Sequence, residues 1–226
     1  MIITFISDTH TKHDLLDGDL PGGDLLIHAG DIMNSGYDFH DITDFGKWYD
    51  EIDNYTSKVF IAGNHDRKFQ NDPDFCRGIL TNYKTIDYLE DEWMDIDGVK
   101  LYGSPHQPWF HNWAFNLPRN GEELKSKWDT IPNDTDILIT HGPAFGYLDD
   151  VEGRRGQHLG CELLTERIKE IKPKIHVCGH IHSGYGYYFD GHTHFFNASI
   201  LDERYNYTQL PQTIDWNPIT NEIKWI

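Results

Sequence analysis

The sequence has no apolar run long enough to cross a membrane. A membrane helix needs about 20 consecutive apolar residues, whereas the apolar stretches here are short and are separated by polar turns. Residues 1–6 are apolar, but they are too few for a signal peptide, and no basic segment or small-residue cleavage site accompanies them. We therefore expect a protein that neither spans a membrane nor is exported.

Cysteine is also scarce. Cys76, Cys161 and Cys178 lie far apart, and none belongs to a Cys-x-x-Cys pair. An odd and scattered set indicates neither a disulfide framework nor a cysteine-based zinc site. The reducing cytoplasm is the expected location.

Basic residues are few relative to acidic ones. The chain has 19 Lys and Arg against 37 Asp and Glu, which gives a net charge of −18. Proteins that bind nucleic acids gain much of their affinity from basic residues that contact phosphates. We therefore expect no long nucleic acid as a partner. A small phosphate ester held by metal ions remains compatible with this charge.

The composition is that of a folded protein. Of 226 residues, 38% are hydrophobic and 14% are aromatic, and no linker or repeat interrupts them, so we expect a single domain over residues 1–226. Apolar runs predict strands at residues 2–6, 24–29, 58–62, 99–103, 137–140 and 174–178, and helical spacing predicts helices at about 41–54 and 160–172. This alternation favours an α/β fold with a partly parallel sheet.

Five of the predicted strands run directly into side chains that can bind metal ions. The Asp-x-His and His-x-His spacings let both side chains of a pair point the same way from an extended segment. The candidate ligands are carboxylates, imidazoles and one amide: Asp8, His10, Asp31, Asn64, His141, His180 and His182. Such a set without thiolates suits Mn²⁺, Fe or Zn²⁺. Seven groups are too many for one tetrahedral ion and suit two ions that share a carboxylate.

The order of these motifs resembles the calcineurin-like metallophosphoesterases. The pattern D-x-H, G-D, G-N-H-[DE], H-G and G-H-x-H runs from residue 2 to about residue 199. The segments Tyr-Gly-Ser-Pro, Gln-Pro-Trp-Phe, Phe-Asn-Leu-Pro-Arg, Thr-His-Gly-Pro and Asn-Ala-Ser are similar to those of the metallophosphoesterase-domain-containing (MPPED) subgroup. The resemblance implies a sandwich of two mixed β-sheets flanked by helices, with metal ions at the carboxyl ends of the strands.

The resemblance also implies which residue binds which ion. The first ion would be held by Asp8, His10 and His182, and the second by Asn64, His141 and His180, with Asp31 as the bridge. The ions would be divalent, with Mn²⁺ favoured and Fe, Zn²⁺ or Mg²⁺ as alternatives, and a hydroxide between them would attack phosphorus. Some mammalian members of the subgroup carry Gly at the position of His180, whereas this chain keeps the histidine.

Two further residues are implied as catalytic. His65 would not bind metal but would lie over the phosphate, stabilise developing charge and protonate the leaving oxygen. Asp66 would orient His65 through a hydrogen bond.

Three residues are candidates for substrate contact, and each has a plainer alternative. Arg67 would contact phosphate or base, or be a surface charge, and Arg119 would contact phosphate or anchor the structure. His106 lies in the aromatic segment 104–119, which we expect to pack mainly on itself, with stacking on a nucleobase as the alternative. The pair at 154–155, Arg-Arg, is expected to be a solvated turn.

The predicted activity is hydrolysis of a phosphodiester, with a cyclic nucleotide or another small nucleotide ester as substrate. The MPPED subgroup is associated with such reactions. A nuclease, or a phosphatase acting on phosphoproteins or phosphomonoesters, would use the same site and is the alternative. A non-catalytic scaffold is the alternative of another class, but it would be expected to have lost a ligand or His65.

Overall fold

Two six-stranded mixed β-sheets form the centre of the molecule. The computed structural model describes residues 1–151 and 156–226, so the Arg-Arg pair at 154–155 lies outside the described residues. In the first sheet the strand order is β14-β13-β1-β2-β3-β4. Strands β1 to β4 are parallel, and β13 and β14 are antiparallel to their neighbours. The strand bounds are β1 Ile2–Ile6, β2 Gly23–His28, β3 Tyr55–Phe60, β4 Ile86–Tyr88, β13 Gln212–Asn217 and β14 Glu222–Trp225.

The second sheet has the order β11-β12-β10-β9-β6-β5. Its four central strands are parallel, and both edge strands are antiparallel to their neighbours. The bounds are β5 Glu92–Ile96, β6 Val99–Ser104, β9 Ile137–Thr140, β10 Ile175–Cys178, β11 Gly186–Phe189 and β12 His194–Asn197. A small parallel pair, β7 Gln107–Pro108 and β8 Asn116–Leu117, lies within the aromatic segment.

The two sheets pack face to face because their strands alternate. In β1, Ile3 and Phe5 belong to the core between the sheets, whereas Ile6 belongs to the cluster on the opposite face. The Phe5 ring of the first sheet lies 4.5 Å from the Phe196 ring of the second. Burying each such side chain stabilises the fold by about 2 kcal/mol.

Helices cover the outer face of each sheet. Their bounds are α1 Phe39–Glu51, α2 Arg67–Asn71, α3 Pro73–Leu80, α4 Glu122–Asp129 and α5 Glu162–Ile171. Helix α1 buries Ile42, Phe45 and Tyr49, at helical spacing, in the cluster outside the first sheet. Helices α4 and α5 bury Trp128 and Leu164 in the corresponding cluster outside the second sheet. None of the helices among the described residues is long and apolar enough to cross a membrane.

The predicted fold class, two mixed sheets flanked by helices, is confirmed. Every predicted strand has a counterpart within a few residues, as do both predicted helices. Strands β13 and β14 and helices α2, α3 and α4 were not predicted. These elements are short, so each offers too few residues to establish a period from the sequence.

The topology brings the carboxyl ends of several strands to one edge. Strands β1, β2 and β3 are parallel in the first sheet, and β9 and β10 are parallel in the second. A parallel bridge between Ser7 and Ser199 joins the residues that follow β1 and β12. Ligands of α/β proteins commonly bind at this edge.

Candidate metal centre

The seven predicted metal ligands lie together where the two sheets meet. Each follows the carboxyl end of a strand: β1, β2, β3, β9 or β10. Their side chains form contiguous groups of ligand atoms in the set Asp8, His10, Asp31, Asn64, His141, His180 and His182. Most of these residues are at least nine-tenths buried.

The first group consists of Asp8, His10 and His182, with one ligand atom of each within 4.8 Å of the others. The distance from His182 Nε2 to Asp8 Oδ1 is 3.4 Å, and that from His10 Nε2 to the same oxygen is 4.0 Å. These distances place three metal-binding atoms around one point. The Asp-x-His motif predicted that two of them, from Asp8 and His10, would lie on the same side of the chain.

The second group consists of Asn64, His141 and His180. The side-chain oxygen Asn64 Oδ1 lies 2.9 Å from His141 Nε2 and 2.6 Å from His180 Nδ1. An amide oxygen and two imidazole nitrogens therefore face one another. Each of these atoms is a donor type that Mn²⁺, Fe and Zn²⁺ accept.

Asp31 lies between the two groups. Its Oδ2 atom is 3.7 Å from His10 Nε2 in the first group and 3.3 Å from His141 Nε2 in the second. Its Oδ1 atom accepts a hydrogen bond from the backbone N–H of His65 at 2.7 Å. A carboxylate in this position can serve two ions at once.

Three of the histidines are oriented by backbone carbonyls. The Nδ1 atoms of His10, His141 and His182 lie 3.1, 2.9 and 2.9 Å from the carbonyl oxygens of Met33, Ala29 and Asp202. A carbonyl only accepts, so Nδ1 carries a proton, and Nε2, the nitrogen that would bind a metal ion, faces the carboxylates. Metal-binding histidines show this arrangement. Among the residues that the structure describes, the buried Nε2 of His10 has no hydrogen-bond partner, as expected for a nitrogen that binds a cation.

The charges of the side chains at the site also favour the binding of cations. Asp8 and Asp31 are buried, and their ion-pair partners within the described chain are histidines rather than Lys or Arg. Burial opposes ionisation of Asp8, but the hydrogen bond and charge of His182 hold its pKa well below the usual value. Burial likewise acts against protonation of His141 and His182, but the adjacent carboxylates raise the pKa of each to about 9. The carboxylates thus favour positive charge at these two histidines in the metal-free protein, and a bound metal ion would take the place of the proton on Nε2.

The backbone at the site is locally strained. Asp8, His10, Asp31 and His180 have φ values of 57°, 45°, 59° and 68°, in the left-handed region that non-glycine residues seldom adopt. Each residue in this conformation destabilises the folded state by about 1 kcal/mol or more. At Gly179 an added Cβ would collide with Asp8 Oδ2, so only glycine lets that carboxylate approach. Strain and close approach of this kind concentrate at functional sites.

Asp66 does not orient His65, so that prediction is wrong. Its buried carboxylate accepts backbone N–H bonds from Asp31, Ile32, Met33 and Gly63 at distances of 2.7 to 3.2 Å. Asp66 therefore holds the segment that carries Asp31 against the segment that carries Asn64. Its contribution to the site is to fix the backbone that carries Asp31.

His65 lies at the edge of the metal centre and is partly exposed. Its ring meets His10 edge-on at 4.6 Å, and one of its nitrogens is within 4.8 Å of ligand atoms of His10 and Asp31. Its Nδ1 contacts the backbone carbonyl of Asn34. The protonated Nδ1 leaves Nε2 as the nitrogen that is free for chemistry.

A cavity of about 560 Å³ opens beside the metal centre, and His180 forms part of its wall. Trp109 and Phe110 line it and are 63% and 40% exposed. The Phe110 ring meets the His180 ring edge-on at 5.2 Å. Pro143 and Ile181 add apolar surface. A cavity of this size suits a small organic ligand.

Comparison with known proteins agrees with the geometry. The family model for calcineurin-like phosphoesterases matches residues 1–184. The chain is 39% identical to metallophosphoesterase domain-containing protein 1 of Homo sapiens and of Mus musculus, over 93% of this chain and 69% of each relative. It is 36% identical to UPF0046 protein T07D4.2 of Caenorhabditis elegans, over 87% of this chain and 55% of that protein.

This chain belongs to the calcineurin-like phosphoesterases. The family uses a dinuclear divalent metal site, and the buried Asp and His groups described above fit it. Solved structures share the fold. One chain superposes with a TM-score of 0.75 at 16% identity, covering 100% of this chain and 98% of its own length. TT1561 of Thermus thermophilus superposes with a TM-score of 0.66 at 14% identity, covering 99% and 97%.

The three substrate candidates of this phosphoesterase have different surroundings. Arg119 lines the cavity, but its guanidinium donates to the carbonyls of Leu159 and Gly160 and to Glu162 at 2.6 to 2.8 Å, which is the geometry of an anchor. Arg67 donates to the carbonyl of Asn112 and lies over the Tyr37 ring at 5.5 Å.

His106 lies away from the cavity and pairs with Asp91. Its Nε2 is 3.2 Å from an Asp91 carboxylate oxygen, which the Lys127 ammonium also contacts at 2.6 Å. This network favours a structural role for His106 over a substrate contact.

Sequence reasoning missed several residues that support the site. Ser199 donates its hydroxyl to Asp8 Oδ2 at 2.8 Å, and the Asn197 amide donates to the carbonyl of Ile181 at 2.9 Å. Both residues belong to the Asn-Ala-Ser segment that resembles the MPPED subgroup, so the sequence contained a signal for them. Tyr205, whose ring lies 4.8 Å from His10, gave no signal because it is distant in sequence.

Proposed function

We propose that this protein hydrolyses a small phosphodiester, with a cyclic nucleotide as the first candidate, at a site that holds two divalent ions, Mn²⁺ being favoured. The observation that carries the proposal is the position of Asp31 between two groups of ligand atoms, with His65 at their edge. One ion would be held by Asp8, His10 and His182, and the other by Asn64, His141 and His180. Asp31 would contact both.

The ions supply Lewis acidity and bring the pKa of water close to neutrality when they are bound. The protein supplies the geometry of the ion site, because the candidate ligands follow strand ends. The Nδ1 atoms of three of the histidines are held by backbone carbonyls. Asp66 keeps Asp31 in place through its four backbone contacts.

His65 would act on the substrate itself. Since its Nδ1 donates to the Asn34 carbonyl, a proton on Nε2 can be given to the leaving oxygen. Before that transfer, the same imidazolium would stabilise negative charge on the phosphoryl oxygens. These are the roles of a general acid and an electrostatic stabiliser.

The cavity supports an ester with a flat aromatic group. Every nucleobase presents a π-face, and stacking on an aromatic side chain stabilises binding by about 1–3 kcal/mol per base. Phe110 and Trp109 offer such faces at the wall that His180 shares. The net charge of −18 disfavours a long polyanion, which argues for a mononucleotide ester over DNA or RNA.

A phosphomonoesterase or phosphoprotein phosphatase is the second candidate, because it would use the same ligands. The exposed rings beside the metal centre favour the nucleotide ester. A non-catalytic scaffold is disfavoured because every predicted ligand and His65 is present.

The test is an activity panel run with Mn²⁺ and with chelator. It comprises a model phosphodiester, 2′,3′- and 3′,5′-cyclic nucleotides, single-stranded DNA and a phosphopeptide. The proposal expects Mn²⁺-dependent turnover of the model diester and of at least one cyclic nucleotide, and weaker action on the other substrates. Preference for the phosphopeptide or the DNA would favour the alternative activities, and absence of metal-dependent turnover would rule out the enzyme.

A further inference from the structure

The loop of residues 109–116 is fastened to the turn that carries His65. The backbone N–H of Ala114 donates to the Asn64 carbonyl at 3.0 Å. The backbone N–H of Phe115 donates to the side chain of Gln70 at 3.0 Å. The Arg67 guanidinium donates to the carbonyl of Asn112. These contacts hold the loop on both sides of position 113.

The loop is also rigid within itself, because one side chain ties its backbone together. The Asn116 amide donates to the carbonyls of Phe110, His111 and Trp113 at 3.0 to 3.1 Å. Its side-chain oxygen accepts from the backbone N–H of Phe110 at 3.2 Å. Trp113 is therefore presented from a fixed backbone.

Trp113 stacks on His65. The two ring centroids are 3.9 Å apart and the ring planes differ by 22°. The His10 ring meets His65 edge-on, and the Asn34 carbonyl holds Nδ1. The imidazole of His65 thus has Trp113 on its face, His10 at its edge and the Asn34 carbonyl at Nδ1. Of these, the indole is the one that stacks on the ring face and the one that belongs to neither the metal centre nor the backbone.

We propose that Trp113 is a positioning residue for His65. It holds the imidazole in the orientation from which Nε2 reaches the leaving oxygen, and it keeps the ring from turning toward the neighbouring ligand atoms. The inference rests on the proposed function, since it assigns Trp113 a part in the proton transfer that His65 performs. Trp113 does not itself need to touch the substrate.

The physical argument is that proton transfer depends steeply on geometry. A displacement of about 1 Å in a reacting group can cost about 100-fold in rate. His65 is partly exposed, so without a neighbour on its face only the Asn34 carbonyl and the edge of His10 would restrain its side-chain torsions. Stacking on a ring that is carried by a well-anchored backbone restricts that freedom.

The test compares Trp113→Ala with Trp113→Phe. We expect Trp113→Ala to lower kcat about 10-fold or more for a 2′,3′-cyclic nucleotide, whose leaving alkoxide needs a proton, with little change in KM. For bis(p-nitrophenyl) phosphate, whose leaving group needs none, kcat should stay within about 3-fold. Trp113→Phe keeps a ring and should restore most of the activity.

Two comparisons separate this role from a general structural one. Trp93→Ala is the matched control, because Trp93 is 57% exposed on an edge strand and its ring contacts Lys100 rather than the site. It should leave both substrates unaffected. In a His65→Ala background, Trp113→Ala should add little, since the group that it positions is gone. Equal losses for both substrates, or full additivity with His65→Ala, would overturn the proposal.

A crystal structure of Trp113→Ala gives a reading that does not depend on activity. We expect the His65 imidazole to leave its present orientation or to occupy several. A His65 ring that stays in place in the variant would overturn the positioning role even if the wild-type protein is an active phosphodiesterase. Failure of the wild-type protein in the activity panel would instead remove the proposed function, and the two failures are thereby distinguishable.

Discussion

The histidines of this chain show how one side chain is given different functions by its neighbours. His10, His141 and His182 donate from Nδ1 to carbonyls and turn Nε2 toward buried carboxylates. His65 also uses Nδ1 to contact a carbonyl, but it is stacked on Trp113 at the rim. The first three are therefore suited to bind metal ions and His65 to transfer a proton.

His65→Ala should separate these roles. We expect turnover of a phosphodiester with an alkoxide leaving group to fall about 10²- to 10⁴-fold, since a general acid is removed. Metal content, measured by elemental analysis, should stay near that of the wild type. His40→Ala, at an exposed histidine on α1, is the control and should change neither. Loss of metal from His65→Ala would show that His65 is a ligand.

His176 carries a prediction about pH. It is fully buried, and burial lowers its pKa to about 3. The folded state thus disfavours the charged form, so the stability that depends on neutral His176 is complete above pH 6.5 and is lost as pH falls below that value. His176→Gln keeps a donor for Thr140, whose hydroxyl lies 2.8 Å from Nε2.

Urea unfolding at pH 7.5 and pH 5 measures this effect. The wild type should lose more free energy of unfolding between these values than His176→Gln does, by an amount on the order of 1–2 kcal/mol. An equal loss in both proteins would mean that His176 is not held neutral by burial.

The residue scale also shows what the sequence can and cannot reveal. The clustering of the seven candidate ligands could be predicted because each follows an apolar strand in a short motif. The partners of Asp66 could not, because they are backbone groups of residues 31–33, brought to it by folding. The contact of Trp113 with His65 was hidden for the same reason: it joins positions 48 residues apart across a loop.

At the scale of elements, the aromatic segment divides into parts with different surroundings. Phe115 is buried in the core outside the first sheet, whereas Trp109 and Phe110 are exposed at the cavity. The expectation that the segment packs mainly on itself therefore describes only part of it. Composition predicts an ordered aromatic loop, but it does not say which ring faces solvent.

Phe110→Ala tests the role of the cavity wall. If the ring stacks on a nucleobase, KM for a cyclic nucleotide should rise about 10-fold, whereas kcat should change little. The control substrate is a diester without a base, such as a dialkyl phosphate, whose KM should be unaffected. An equal rise in KM for both substrates would mean that the substitution disturbs the loop and does not remove a contact with the base.

The strands were easier to predict than the helices. Strands β1, β9 and β10 are short apolar runs that are followed by candidate metal ligands, so the hydrophobic pattern and the motif mark the same strand end. Helix α2 has five residues and one buried side chain, Phe69, so its sequence contains no period to detect. Strands β13 and β14 form the edge of the first sheet, which only the three-dimensional pairing with β1 reveals.

At the scale of the whole molecule, the fold explains why one site collects residues from the entire chain. Parallel strands from two sheets end at a common edge, and the Ser7–Ser199 bridge brings the start of the chain beside its last quarter. Buried carboxylates accumulate there, in a protein that already carries a net charge of −18. Divalent cations would relieve that repulsion.

The central claim is that phosphodiester hydrolysis requires two ions at this site. The most direct measurement is a titration of the metal-free protein with Mn²⁺ in which turnover of a model phosphodiester is recorded together with bound metal. The account predicts that activity approaches its maximum as binding approaches two ions per chain, and that Asp31→Ala shows no such rise. Full activity with one ion per chain, or two bound ions without turnover, would contradict it.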